Sequence, residues 1–418
     1  MTPMLAYLLD WFSLLGRWMH LIFGIAWIGA SFYFVWLDNH LLAPEDPALD
    51  EKGVGGELWA VHGGGFYNAQ KYRIAPATLP AHLHWFYWEA YSTWLSGFFL
   101  LCVIYYARPE IYLIDPSVAA LGPVEAVAIG IGTLVAGWII YDRLCESPLA
   151  RSAAGLSSGL FVLVCAAAFG LCHVFSGRGA FLHFGAMLGT LMVANVFFVI
   201  IPAQRQLVAA KIAGTPPDPV YAQRAKQRSV HNTYFTLPVL FTMISNHYAM
   251  TTGASYNWLV LIAMTLAGAA IRIYFVDRHK AGSRASPFPL VGGLATLAFL
   301  ALLMRPATSI PSEHSANASL ENPNAPSAAL KAPHQIGTEM LDVVERRCAV
   351  CHAATPTQPG FTAPPNGVML DSLDRIVAQR DKMRVQLATH AMPIGNLTQL
   401  TEGERQALIA WIDAGTPH

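Results

Sequence analysis

Long apolar runs alternate with short polar stretches through the first 305 residues of this chain, and no soluble fold has that pattern. A bilayer-crossing helix needs about 20 mostly apolar residues. Eight candidates meet the pattern, at roughly 12–37, 85–106, 123–141, 155–174, 180–201, 232–249, 257–277 and 288–304. Only 12% of the 418 residues are charged, against about 25% in an ordinary soluble domain. The first run has no basic leader and is too long for a signal peptide, so it is expected to be a span. Lys plus Arg balance Asp plus Glu at 26 each, which gives nucleic acid no electrostatic reason to bind.

Basic residues set the expected orientation. The odd-numbered loops carry 13 of them: Lys52, Lys71, Arg73, Arg143, Arg151, Arg205, Lys211, Arg224, Lys226, Arg228, Arg278, Lys280 and Arg284. The even-numbered loops carry only Arg108 and Arg178. The positive-inside rule places the odd loops in the cytoplasm, and with eight spans both termini then lie outside.

Residues 306–336 are rich in Pro, Ala, Ser and Asn and lack any apolar period, the composition of a flexible linker. Residues 337–418 return to soluble composition and carry "RRCAVCHAATP" at 346–356. The spacing C-x-x-C-H reads as covalent haem attachment, with Cys348 and Cys351 as thioethers and His352 as iron ligand. Half a zinc site is the competing reading, but it needs further Cys or a paired His, and only His390 and His418 follow. A second axial ligand should be Met or His. Met392, in "HAMPIG", sits before a proline that fixes the loop backbone, whereas Met383 falls inside an expected helix over 371–388. Met340, Val343, Val344 and Arg347 share one helical face. A Thr401…Glu404 capping box opens a second helix that carries Leu408, Ile409, Trp411 and Ile412. Two such helices around a Met loop resemble a small class I cytochrome c, a one-electron carrier. Haem c is attached outside the bacterial cytoplasm, in agreement with the loop charges.

Two constellations in the membrane region invite chemistry. On the expected outer side lie Arg17 and His20 in the first span, His173 and His183 about the fourth and fifth, and His247 near the end of the sixth. Ionisable groups at membrane depth are costly and often functional. These could bind a planar anion or hold a b-type haem; equally, histidines at helix ends can be plain interfacial residues. On the inner side, "GGELWAVHGGGFYNAQKYR" and "HLHWFYWEAYSTW" supply His62, Lys71, Arg73, His84, Trp85 and Glu89. Those residues could grip a purine-like ring, or form a solvated re-entrant loop beside an aromatic belt. An inner site would need an electron relay across about 30 Å of hydrocarbon to reach an outer haem.

The first span "GRWMHLIFGIAWIGASFYFVWLD", the stretch "ELWAVHGGGFY", the polar linker and the terminal "CAVCH…MP" segment together resemble the bacterial membrane-bound, cytochrome c-fused urate oxidases (urate hydroxylases) along essentially the whole chain. That resemblance implies an all-α protein: an eight-helix transmembrane bundle over 1–305, the linker 306–336, and a class I cytochrome c domain over 337–418. It implies oxidation of urate to 5-hydroxyisourate, with electrons leaving through haem c to a respiratory-chain cytochrome c or oxidase. The expected location is the inner membrane, with both termini and the cytochrome domain periplasmic. From the residues, the candidates for urate chemistry are Arg17, His20, His62 and Glu89, with His173, His183 and His247 as ligands of substrate or of a haem b. The competing function is a non-catalytic membrane anchor whose cytochrome c serves another dehydrogenase or oxidase.

Overall fold

The computed structural model describes residues 3–278, 285–305, 333–359, 361 and 364–417. Most of the linker, residues 306–332, falls outside them, as do Lys280, Arg284 and His418. Helices occupy every one of the eight expected positions. They are α1 (Pro3–His40), α2 (Trp88–Leu100), α3 (Pro123–Glu146), α4 (Ala153–Cys172), α5 (Gly177–Ile212), α6 (Pro219–Ser245), α7 (Asn257–Asp277) and α8 (Phe288–Leu303). Five of these, α1, α3, α4, α5 and α7, are long and apolar enough to cross a membrane. Helix α2 runs on through a π-helical turn, Leu101–Tyr106. Another π turn, Asn195–Ile200, lies within α5.

Helix α6 begins well before the apolar stretch that announces it. Asp218 caps it by accepting from the Val220 N–H at 2.9 Å, and Pro219 supplies a preset φ at the first helical position. Arg224, Lys226 and Arg228, expected in a loop, therefore stand on a helix, and Arg205 and Lys211 stand on the extension of α5.

The expectation of an all-α chain fails at one place. Residues 54–72 form an antiparallel hairpin, β1 (Val54–His62) paired with β2 (Gly65–Tyr72). The turn is Gly63-Gly64, with φ of 58° and 80°. Positive φ at both central residues is the type I′ geometry that matches strand twist. Val54, Trp59, Val61, Phe66 and Tyr67 are good strand formers, so the Gly run marks a hairpin tip rather than a re-entrant loop.

Inside the bundle, α3, α5 and α6 share a buried polar network. Arg228, 3% exposed, donates to Asp142 at 2.8 Å and lies over the Tyr141 ring. Asn195, fully buried, donates to the Tyr141 hydroxyl at 2.9 Å and to Asn232 Oδ1 at 2.8 Å. Every member finds a partner, which such a network requires if it is to specify one packing.

The C-terminal segment has a separate apolar core. It is built from α9 (Pro333–Val344), α10 (Leu373–Ala388) and α11 (Glu402–Asp413). Met340, Val343, Val344, Leu408, Trp411 and Ile412 are buried in it. The Thr401–Glu404 capping box forms as the sequence suggests. Its turn Ile394–Asn396 packs against a short helical turn, Pro109–Tyr112, between α2 and α3. Nearby, the Ser176 N–H donates to the Leu113 carbonyl, so the α4–α5 connection belongs to the same end of the bundle. The hairpin belongs to the opposite end.

Candidate functional site

The C-x-x-C-H segment follows directly from α9 through a π turn, Glu345–Ala349. The His352 N–H donates to the Cys348 carbonyl at 3.0 Å, which keeps the motif in a tight turn. On the ring, Nδ1–H donates to the Val368 carbonyl at 3.0 Å. That bond fixes the tautomer and leaves Nε2 as a lone-pair donor, the arrangement a metal-binding histidine needs. Burial, with the neighbouring Cys351 adding to it, pushes the Cys348 thiol up to about 12, and burial pushes Cys351 up to about 11. A dithiol redox centre requires the reverse, a thiol lowered toward neutrality.

Met392 lies on the loop after α10. Arg405, 4% exposed on α11, holds that loop: its Nη1 donates to the Met392 carbonyl at 2.8 Å and to the Leu387 carbonyl at 3.0 Å. Asp371 accepts the Ala354 N–H at 3.0 Å and tethers the chain just after His352. Met383 packs in the core of this domain.

Cys348, Cys351, His352 and Met392 all line one cavity of about 1870 Å³, and the cavity continues into the helical bundle. There it is lined by Arg17, His20, Thr93, Tyr105, Arg178, Asn246 and His247 among others. That volume exceeds the roughly 300–1,000 Å³ of a single small-molecule site.

His20 is seated on α1 against α2. Its Nδ1–H donates to the Thr93 carbonyl at 3.0 Å, with the Ser96 hydroxyl at the same distance. Nε2 has no hydrogen-bond partner among the described residues. The ring fits because residue 97 is glycine, where a Cβ would stand 2.9 Å from the imidazole. Arg17, one turn earlier, has the Ser13 hydroxyl at 3.3 Å as its hydrogen-bond partner among the described residues. No carboxylate belongs to the bundle side of the cavity lining.

The other candidates are placed elsewhere. His62 is exposed at the hairpin tip, and neither it nor Glu89 lines the cavity. Glu89 Oε2 is buried in the first turn of α2 without a hydrogen-bond partner. Lys71 pairs with Asp38 at 2.8 Å and Arg73 pairs with Asp50, so these cations tie the hairpin to its surroundings. His173 is exposed, its Nδ1–H donating to the Phe169 carbonyl. His183 is fully buried with both ring nitrogens engaged, by the Gly179 carbonyl at 2.8 Å and the Tyr106 hydroxyl at 3.1 Å. A haem b ligated by His183 does not fit this arrangement. Among the described residues no group of three or more His, Cys, Asp or Glu could hold a metal ion.

The family model described as urate oxidase N-terminal matches residues 6–305. The chain belongs to that family. At family level it is an oxidoreductase acting on urate. No curated protein and no solved structure matches the chain. The matched region contains the bundle side of the cavity and stops before the C-x-x-C-H segment.

Sequence reading had assigned no chemistry to several residues that the fold brings to the site. Arg178 counted only as a loop charge, Asn246 and Tyr105 carry no motif, and Arg405 gave no sign that it would be buried.

Proposed function

We propose that the chain oxidises urate to 5-hydroxyisourate inside the bundle end of this cavity. On this reading it is a membrane-bound enzyme whose electrons leave through a c-type haem on Cys348, Cys351 and His352, with Met392 as the second axial ligand, toward a respiratory cytochrome c or oxidase. The observation that supports it most is the continuity of the cavity: the bundle's cation and free imidazole face the same space as the C-x-x-C-H motif.

The residues fit the prosthetic group. Two cysteines face one cavity, the histidine has its Nδ1 engaged and Nε2 open, and a buried arginine braces the methionine loop. A haem held there would supply one-electron acceptance, so each urate would require two successive transfers, with the haem passing the first electron to the external acceptor before it takes the second.

Conversion of urate and one water to 5-hydroxyisourate releases two electrons and two protons. The Arg17 guanidinium offsets the negative charge of bound urate. His20 Nε2 accepts a proton as water adds to the ring, and the Thr93 carbonyl stabilises the imidazolium through Nδ1–H. On this reading the C-terminal domain, capping the cavity, faces the periplasm, as the loop charges suggest.

The test is urate consumption by the purified full-length chain with an external one-electron acceptor. We expect turnover that His20→Gln reduces at least a hundredfold in kcat, and that Cys348→Ala with Cys351→Ala abolishes. Full turnover in either variant overturns the proposal. Retention of haem without any urate turnover would instead favour the anchor-and-carrier function.

A further inference from the structure

Three elements converge on the cavity to form a polar cluster that the mechanism above does not use. Arg178 stands at the start of α5, Asn246 at the C-terminal cap of α6, and Tyr105 in the π turn that follows α2. Arg178 Nη2 donates to the Asn246 backbone carbonyl at 2.9 Å. Asn246 Nδ2 donates to the Tyr105 hydroxyl at 3.1 Å. All three residues line the cavity.

Two buried atoms of this cluster have no hydrogen-bond partner among the described residues: Arg178 Nε, a donor, and Asn246 Oδ1, an acceptor. Unpaired buried polar atoms are uncommon, and each one asks for an explanation. Here the pair offers one donor and one acceptor on adjacent residues, beside a guanidinium with no ion-pair partner among the described residues. A cis-amide edge of a planar heterocycle presents the complement, one C=O beside one N–H. An oxidised purine anion carries such edges and a negative charge.

We propose that Arg178, Asn246 and Tyr105 form the recognition subsite for the substrate's amide edge: Arg178 Nε donates to a ring carbonyl oxygen, and Asn246 Oδ1 accepts from the adjacent ring N–H. The Tyr105 hydroxyl, which accepts from Asn246 Nδ2, orients the amide so that Oδ1 faces the ligand. Arg178 and Asn246 touch substrate and determine specificity, while Tyr105 is a positioning residue. The assignment rests on the proposed urate site. It goes beyond that proposal in naming which chemical edge is read and by which atoms.

The experiment uses the full-length, haem-loaded chain and measures equilibrium binding of urate and of N-methylated urates, steady-state kinetics, and the haem midpoint potential. A hydrogen bond to a charged group is worth about 1.5–3 kcal/mol, so its loss weakens binding roughly 10- to 100-fold. Arg178→Gln is expected to weaken urate binding and raise KM by that factor, with haem content and midpoint potential unchanged. Arg178→Lys, which keeps the charge without the guanidinium fork, should fall between the two. Asn246→Ala should abolish the preference for urate over the methylated urate that lacks the recognised N–H. Tyr105→Phe should relax that preference by less than Asn246→Ala does.

Urate affinity within twofold of the parent in haem-loaded Arg178→Gln overturns the subsite. So does a shifted midpoint potential with unchanged affinity, which would place the guanidinium on a haem carboxylate. If the parent chain binds urate with these variant effects but does not oxidise it, the catalytic proposal fails and the subsite stands. If the parent chain turns over urate and the variants do not differ from it, the subsite alone fails. Absence of urate binding by the haem-loaded parent chain overturns both.

Discussion

Three cations at the hairpin end of the bundle have carboxylate partners, and two that border the cavity at the other end have none among the described residues. At the hairpin end, Lys71 faces Asp38, Arg73 faces Asp50, and Arg228 is buried against Asp142. At the end covered by the C-terminal domain, Arg17 and Arg178 border a large cavity whose bundle lining contains no carboxylate. A paired cation holds structure together. An unpaired one beside a cavity raises the local potential for an anion and offers hydrogen-bond donors without first breaking a bond. The same residue type therefore has two different jobs at the two ends of the bundle, and the proposed urate site lies at the cavity end.

That contrast can be tested by separating stability from binding. The largest stability effect is expected at the buried pair. Asp142→Asn leaves the Arg228 charge uncompensated and should cost about 3 kcal/mol. A thermal unfolding scan in detergent would show this as a lowered midpoint, with KM for urate unchanged in the folded fraction. Arg17→Gln should do the reverse, raising KM roughly tenfold with little change in midpoint. Should Arg17→Gln destabilise the chain and leave KM alone, the contrast between the two ends breaks down.

In the C-terminal domain, Arg405→Ala removes two hydrogen bonds that brace the Met392 loop and should destabilise the domain by about 2 kcal/mol. The weak long-wavelength absorbance that marks sulfur ligation to ferric haem c should fade in the same variant. Lys71→Gln should be nearly silent, because an exposed ion pair is worth about 0–1 kcal/mol; a rise in KM there would move the substrate site to the hairpin end.

The smallest effect is on pH. Hydrogen bonds from the Ala354 N–H and from Arg375 hold Asp371 below the usual carboxylate range, and Arg384 does the same for Asp413. A depressed carboxylate contributes stability above its unfolded value, near 4, and that stability is lost as pH falls through the folded value. Unfolding midpoints of the C-terminal domain should thus be flat between about pH 5 and 8 and decline below about pH 4.

Much of the fold was legible because it is written locally. An apolar run long enough for a bilayer is a one-dimensional signal, and helices stand at all eight such runs. The Thr401–Glu404 cap and the C-x-x-C-H spacing are likewise complete within a few residues. Boundaries were harder. Helix α6 starts at Pro219 because Asp218 caps it, and the polar turns that follow hid that start from a hydropathy reading. The hairpin was visible in principle in His62-Gly63-Gly64-Gly65 flanked by strand formers, but the same glycines also suit a re-entrant loop.

Of Arg17, His20, His173, His183 and His247, three reach the cavity: Arg17, His20 and His247. A tyrosine and a carbonyl engage both ring nitrogens of His183, a fact no periodicity encodes. The Arg178–Asn246–Tyr105 cluster joins residues up to 141 apart in sequence. Such a convergence exists only after α2, α5 and α6 have packed.

The central claim is that one chain carries out urate oxidation and electron removal through a shared cavity. Anaerobic mixing of the oxidised, haem-loaded chain with urate tests it directly, followed by the reduced α-band of haem c. The expected result is full haem reduction without oxygen or any partner protein, slowed by His20→Gln. A haem that ascorbate reduces readily but urate leaves oxidised would contradict it.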